Sequence, residues 1–463
     1  MKLHYKHIVA LIYGVVLFLD RLDLTIVNVT LPTLAKVFHV PLTDTDWVNV
    51  SFLLALAVSI PISSWLGERF GFKHIYIFAM LLFGIGSTLC AFSPNLDFLV
   101  ISRLIHGIGG GLLIPTGMTI LYRIYDKSEY ASITSFTFLP SLIAPAIAPF
   151  LGGILLDIWN WQVVFLFSGP ICLVLALISI FYLNDKEIHL SKKLDWIGFI
   201  LFSAILADVF YSLSLVGKEY NLLLIGLIIV PLLIYFFIKQ ENRAETPLFD
   251  LSYFTNSIFI KANVIQLCFQ ICHYGAIFLI GMYLQIGIGI NASMAGLIMG
   301  MQALGAMAVS RYSVRLYQLY GPIWPIVIGL VGVAILSPCI LIINTTNFVW
   351  LGVILFFSRG LFSGLCGVPI QTMGIVDFEK DKIASANAIF NACRQVSISL
   401  GIAISSGLMT IGMQVASITH IEQINSNVSI TIFGPGFFMI SFIAIMGILL
   451  TLRNTQGLYS HQK

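Results

Sequence analysis

Polar residues along this chain do not alternate with apolar ones; they punctuate them. Apolar runs near 8–31, 47–66, 74–93, 97–121, 131–156 and 161–183 are separated by short polar breaks. Two more, near 196–216 and 220–239, are set off by charged stretches at 185–195 and 240–250. Six further runs follow near 259–285, 293–314, 322–343, 349–371, 385–411 and 431–452. A helix rising about 1.5 Å per residue needs roughly 20 apolar residues to cross a bilayer, and these runs are of that length. The pattern predicts an all-α membrane protein with fourteen transmembrane helices in a six, two, six order. The expected units are an N-terminal six-helix bundle over 1–184, a linker with two extra helices over 185–255, and a C-terminal bundle over 256–463.

Composition sharpens this. Of 463 residues, 58% are hydrophobic and only 10% charged, against about 25% charged in a soluble domain. The first run keeps its charges, lacks a small-residue cleavage site and is followed by further spans, so it reads as an uncleaved anchor. Basic residues set the orientation. If the N-terminus is cytoplasmic, inner segments hold 18 of the 24 Lys and Arg, including Lys2, Lys6, Arg69, Lys73, Arg123, Lys186, Arg315 and Lys382. Only Lys36 and Lys218 fall outside, which puts both termini on the cytoplasmic side. All seven cysteines lie within apolar runs, so no disulfide framework is expected. Cys268, Cys272 and His273 read as packing residues of one helix rather than as a metal site.

The first run carries Asp20, Arg21 and Asp23 near its middle. On insertion scales each costs about 2.5–3.5 kcal/mol at a helix centre, so a chain that keeps three uses at least one of them. Asp20 and Arg21 can also be read as shallow groups that snorkel and pair locally. Arg103, Arg359 and Arg394 are likewise inside runs. Arg103 follows Ser102 and Arg359 follows Ser358, each with a glycine eight residues on, at Gly111 and Gly367. The echo sits on the fourth span of each half and suggests duplicated halves.

Several segments resemble the major facilitator superfamily. The loop S-W-L-G-E-R-F-G-F-K-H from Ser64 resembles its cytoplasmic signature, with Glu68 in place of the usual Asp and with Arg69, Gly71 and Lys73 retained. The resemblance implies a charged gate that holds the halves together on the cytoplasmic side. The second-half counterpart, V-R-L-Y-Q-L-Y-G-P from Val314, has Gln318 where the acid stands. Arg103, with Gly107 and Gly109, resembles the fourth-helix signature, although His106 replaces a Gln. L-P-S-L-I-A-P-A-I-A-P-F-L-G-G from Leu139 resembles the antiporter signature of the fifth helix through Pro145, Pro149, Gly152 and Gly153. Three prolines there are expected to keep the helix from being regular throughout.

The most specific match is L-D-L-T-I-V-N-V-T-L-P from Leu22, which resembles the first-helix signature of the fourteen-span drug:proton antiporters of the EmrB/QacA type. The stretch from Tyr283 resembles the MdtD-type branch of that group. The resemblance implies two six-helix bundles plus two inserted helices and proton-coupled export of amphipathic or cationic compounds. It implies Asp23 as the proton-coupling carboxylate, with Arg103 its expected partner. Asp20, Asn28, Gln266, Gln270, Arg359 and Arg394 are candidate cavity or substrate residues.

The partners implied are a small-molecule substrate, protons and the lipid bilayer. No cofactor is expected beyond the proton gradient, and no metal or nucleic acid. A periplasmic adaptor is left open. A membrane enzyme is not supported, since H-E-x-x-H, G-x-S-x-G and a nucleotide-binding loop are all missing from the sequence. The competing reading within transport is export of an endogenous metabolite, a siderophore or a lipid precursor.

Overall fold

The computed structural model describes residues 2–125, 130–184, 193–215, 220–249, 251–343, 349–374, 377–378, 383–418, 424 and 426–453. The basic residues Lys127, Lys186, Lys192, Lys218, Lys380, Lys382 and Lys463, which enter the charge count, lie outside these residues. Among the described residues there is no β-strand.

The first six helices are α1 (Lys2–Phe38), α2 (Trp47–Phe70), α3 (Phe72–Ala91), α4 (Leu96–Ile124), α5 (Tyr130–Ile158) and α6 (Trp161–Tyr182). The next two are α7 (Trp196–Ser214) and α8 (Tyr220–Glu241). The last six are α9 (Ser257–Met282), α10 (Ala292–Tyr320), α11 (Ile323–Cys339), α12 (Val349–Met373), α13 (Ile383–Val415) and α14 (Ser426–Leu452). Among the described residues, ten helical segments are long and apolar enough to cross a membrane. Helix α1 is the informative absentee. At 37 residues its length is ample, but it carries Asp20, Arg21 and Asp23.

Helix α5 runs without interruption from Tyr130 to Ile158 through its prolines. Inside a bundle, carbonyls freed by Pro can be satisfied by neighbouring groups, so such helices persist. Helix α1 also runs through Pro32 without a stop.

The two sets of six pack in the same way. Helix α2 lies along α4, α3 along both α4 and α6, and α1 along α5; α10, α11 and α9 repeat these pairings with α12, α14 and α13. The turns repeat as well. Gly71 after α2 and Gly321 after α10 both take positive φ, 89° and 72°, a conformation costly for any residue with a Cβ. Between the sets, α5 packs on α10 and α13 on α2, as a pseudo-two-fold axis requires. The α7–α8 pair leans on this frame through α7, which touches α2 and α13.

The apolar core shows how the sets meet. One continuous cluster includes α1, α3 and α4 together with residues 272–284 of α9 and its extension, 292–299 of α10, 398–413 of α13 and 432–444 of α14. A second cluster is separate. It holds Phe237 and Phe249, Phe259 to Phe269 of α9, Ile326 and Leu330 of α11, Ile370 and Met373 of α12, and Phe390 of α13. The core is therefore shared at the end where α1 finishes and parted at the end where α1 begins.

Candidate transport site and its two buried arginines

At the shared end the sets approach backbone to backbone. A Cβ on Gly296 would run into the Pro149 carbonyl, and one on Gly153 into the Ala292 carbonyl. The antiporter-like glycines thus let α5 and α10 touch, as small residues do in membrane helix packing. Gly152 rests against Ile26 of α1, 2.7 Å from its Cγ1 if a Cβ is added. Asp157, at the end of α5, accepts from both the backbone N–H and the hydroxyl of Ser293 in the first turn of α10. A carboxylate there faces the positive end of the α10 dipole. Gln285 donates to the Val29 carbonyl at 3.1 Å, adding a polar tie between the sets.

Just below these contacts lies a cavity of about 180 Å³ between α1, α5, α9 and α10. Thr25, Pro145, Pro149, His273, Tyr274 and Gln302 line it, with Met299 and Met307 supplying adaptable apolar surface. Among the described residues the lining contains no carboxylate.

Beside the cavity, inside the first six helices, Asp23 and Arg103 meet. Arg103 Nη1 donates to Asp23 Oδ2 at 2.5 Å and its Nε donates to the Val48 carbonyl at 3.0 Å. His106 Nδ1 lies 3.0 Å from the same Nη1. The guanidinium also sits over the Phe52 ring, 4.2 Å from its centroid. Asp23 is 1% exposed and Arg103 and His106 not at all. One arginine thereby ties α4 to both α1 and α2. Gly107 makes this reach short enough, because a Cβ there would collide with the Phe52 carbonyl. Desolvating such a pair is costly, and the Coulomb energy with the added donors offsets it. Breaking it would leave a bare charge in the membrane interior.

Arg359 occupies the corresponding place on α12 and is equally buried. Its partners differ. Nη1 donates to Gln302 Oε1 at 2.7 Å, Nη2 to the Cys272 carbonyl at 2.8 Å, and Nε to Ser337 Oγ at 3.3 Å. No carboxylate reaches it among the described residues. Gln302 Nε2 lies 3.3 Å from His273 Nδ1, so the network ends on a side chain of the cavity wall.

The other sequence candidates separate. Asn28 is buried against its own helix and accepts from Asn49 Nδ2 at 3.0 Å, so it joins α1 to α2 and does not line the cavity. Gln266 donates to the Phe390 carbonyl at 2.9 Å inside the second apolar cluster, which removes it from the cavity set. Arg359 acts on the cavity only through Gln302. Gln270 is half-buried on α9 and is not among the cavity-lining residues. Arg394 is half-buried on α13, with its Nε unpartnered and its charge felt by Arg21 and Tyr274. The Asn387 side chain lies outside the described residues. Asp20 is wholly buried rather than cavity-facing.

In the loop after α2, Glu68 and Arg69 are exposed, and Arg69 lies over the Trp65 and Phe70 rings at 5.2 and 5.7 Å. Lys73 donates to the Ile180 carbonyl at 3.0 Å. Among the described residues these contacts stay within the first six helices, while Trp65 of the same segment meets Trp196 of α7 edge-on. Among the described residues no cluster could hold a metal ion. Sequence reasoning missed Gln302. A lone amide in the apolar run M-G-M-Q-A-L was the available signal.

Two similarly packed helical sets, joined at one end and parted at the other around a cavity with a buried ion pair beside it, are the build of a membrane transporter rather than an enzyme. The family model of the Major Facilitator Superfamily matches residues 13–402, and the chain belongs to that superfamily. A relative from Pectobacterium atrosepticum, named "Putative multidrug resistance protein MdtD", is 30% identical over 406 residues, 86% of each chain. One of the same name from Escherichia coli O81 is 28% identical over 401 residues, covering 85% of this chain and 84% of its own. Among solved structures, a bacterial homologue of the human lysosomal transporter Spinster, inward-facing and unoccupied, superposes with a TM-score of 0.69 at 14% identity, covering 98% of each chain. A D-xylose–proton symporter gives 0.66 at 13% identity over 96% of each. At these identities the structural likeness shows the fold.

Proposed function

We propose that this protein is a proton-coupled exporter of small, drug-like amphipathic compounds, working by alternating access in a bacterial inner membrane with both termini cytoplasmic. The observation that carries the reading is the buried Asp23–Arg103 pair, held between α1, α2 and α4 beside a cavity at the interface of the two sets. Protonation of Asp23 removes the charge that holds Arg103; deprotonation restores the pair. Either change alters how tightly α4 is tied to α1. With the basic residues inside, the parted end faces the cytoplasm, and the sealed α5–α10 contact faces outward. Rocking of residues 1–184 against 256–463 would exchange these two ends.

The gradient suffices as a driving force. At roughly 150 mV one proton supplies about 3.5 kcal/mol. At about 1.4 kcal/mol per decade, that sustains a gradient of a few hundredfold. The names of the relatives support drug-like cargo. No cofactor enters the scheme, and no periplasmic adaptor is needed for it.

The test uses purified protein in proteoliposomes with an imposed pH gradient and a panel of cationic, neutral and anionic compounds. Asp23→Asn is expected to abolish pH-driven accumulation at an unchanged protein yield. Proton-driven export surviving in that variant overturns the assignment.

One observation favours a second reading. The cavity wall offers no carboxylate, while Arg21 and Arg394 lie near enough for their charges to act on each other. Such a wall suits neutral or acidic cargo, and so an endogenous acidic product. Metabolite profiling of a deletion strain beside drug-accumulation assays separates the two.

A further inference from the structure

Asp20 stands one turn before Asp23 on α1, and its surroundings are of another kind. Its side chain is fully buried, and neither carboxylate oxygen has a hydrogen-bond partner. The nearest cation is Arg21, whose Nε forms an ion pair with Oδ2 at 3.7 Å, beyond hydrogen-bond reach, and whose side chain is itself 18% exposed. A Cβ on Gly110 of α4 would come within 3.0 Å of Asp20 Oδ1, with Phe52 and Leu56 of α2 around the same point. The carboxyl is therefore pressed against a bare stretch of backbone and two apolar side chains.

The charged and titratable neighbours can be named element by element. On α1 they are Arg21 and Asp23, and on α4 Arg103 and His106. On α6 Cys172 feels Asp20. Helix α5 carries no titratable side chain between Tyr130 and Asp157. Beyond these, Arg394 of α13 reaches only as far as Arg21. Arg103 is already committed to Asp23, and Arg21 reaches Asp20 only as an ion pair at 3.7 Å, without a hydrogen bond.

We propose that Asp20 is a second proton-carrying carboxyl, neutral in the conformation described here and ionised when the opposite conformation admits water to it. An ionised carboxylate with no donor in this setting is strongly disfavoured, while a protonated one loses only a hydrogen bond. Asp23, three residues on and on the same helix face, already occupies Arg103, and a second carboxylate beside it would add like-charge repulsion. The proton is held on an Asp20 oxygen. On the conformational change that O–H bond breaks, the proton leaves to water, and the carboxylate stays hydrated until the return.

The inference rests on the proton-coupled reading of Asp23, and its test needs neither cargo nor that residue. The full-length chain in lipid vesicles is studied by infrared difference spectroscopy between wild type and Asp20→Asn at neutral pH. A carbonyl stretch of a neutral carboxylic acid, shifting in D₂O, is expected in the wild type and lost in the variant. In parallel, spin labels on the exposed ends of α2 and α10 report the ratio of the two conformations against pH. Protonation of Asp20 favours the conformation described, so that ratio rises as pH falls, and Asp20→Asn should flatten the rise by about one decade per pH unit. Held permanently neutral, the variant stays in this conformation at alkaline pH where the wild type leaves it. Should Asn disturb folding, Asp20→Ser, which is smaller and equally unable to ionise, is read in the same way. A wild-type spectrum without the acid band overturns the proposal, and so does a variant whose pH curve follows the wild type. Either failure leaves the Asp23→Asn transport result standing on its own.

Discussion

Arg103 and Arg359 each follow a serine on the fourth helix of their set, and neither exposes any surface to solvent. Yet one is balanced by the carboxylate of Asp23, and the other by an amide, a backbone carbonyl and a hydroxyl. Duplication kept the cation and its position; divergence changed what neutralises it. In the first set the charge is part of an ion pair that a proton can break. In the second no proton can, because Gln302 does not ionise, so Arg359 serves as a fixed charge wired to the cavity wall through His273.

The comparison is most exposed to deleting each arginine. Arg103→Ala strands the Asp23 charge and should lower stability by about 3–5 kcal/mol, with much of the loss recovered in the double variant with Asp23→Asn. Arg359→Ala removes a cation that no acid balances and should cost only about 1–3 kcal/mol for the abandoned acceptors. Thermal unfolding of the purified variants in detergent checks both, and equal losses would erase the distinction.

Gln302→Glu gives the second set the acid it lacks. It should raise stability by about 1 kcal/mol by turning a neutral acceptor into a charged one. It should also add a second inflection to the pH profile of transport. A profile unchanged from wild type would mean that the amide is not what keeps this half insensitive to protons.

The smallest effect is expected at the seam. Asp157 ties α5 to α10, and no equivalent tie is found between α13 and α2 among the described residues. Asp157→Asn should weaken that closure by about 0.5 kcal/mol, roughly a twofold change in the conformer ratio, given the exposure of the site. Distance measurements across the α5–α10 ends read it directly.

Much of this was legible from residue order. The run lengths gave the helices, and the cost of Asp23 in an apolar span, with Arg103 as the partner it demanded, gave the ion pair. What failed to show was direction. Asp20 and Gln266 are polar residues in apolar runs, and such a residue looks the same whether it faces a cavity, a carbonyl or a bare backbone. Asp20 is buried because Gly110, ninety residues later, has no side chain. Gln266 is spent on the Phe390 carbonyl of another helix.

The α7–α8 pair has a mechanical consequence. Phe237 of α8 and the flanking Phe249 belong to the apolar cluster of the last six helices, and Phe202 of α7 packs against both rings. On the other face, Trp196 of α7 meets Trp65 of α2 edge-on at 5.8 Å. Leu206 and Phe210 of α7 belong instead to the large core cluster that includes the first set, so the pair is anchored on both sides of the seam. One flank of the seam is shuttered by this pair.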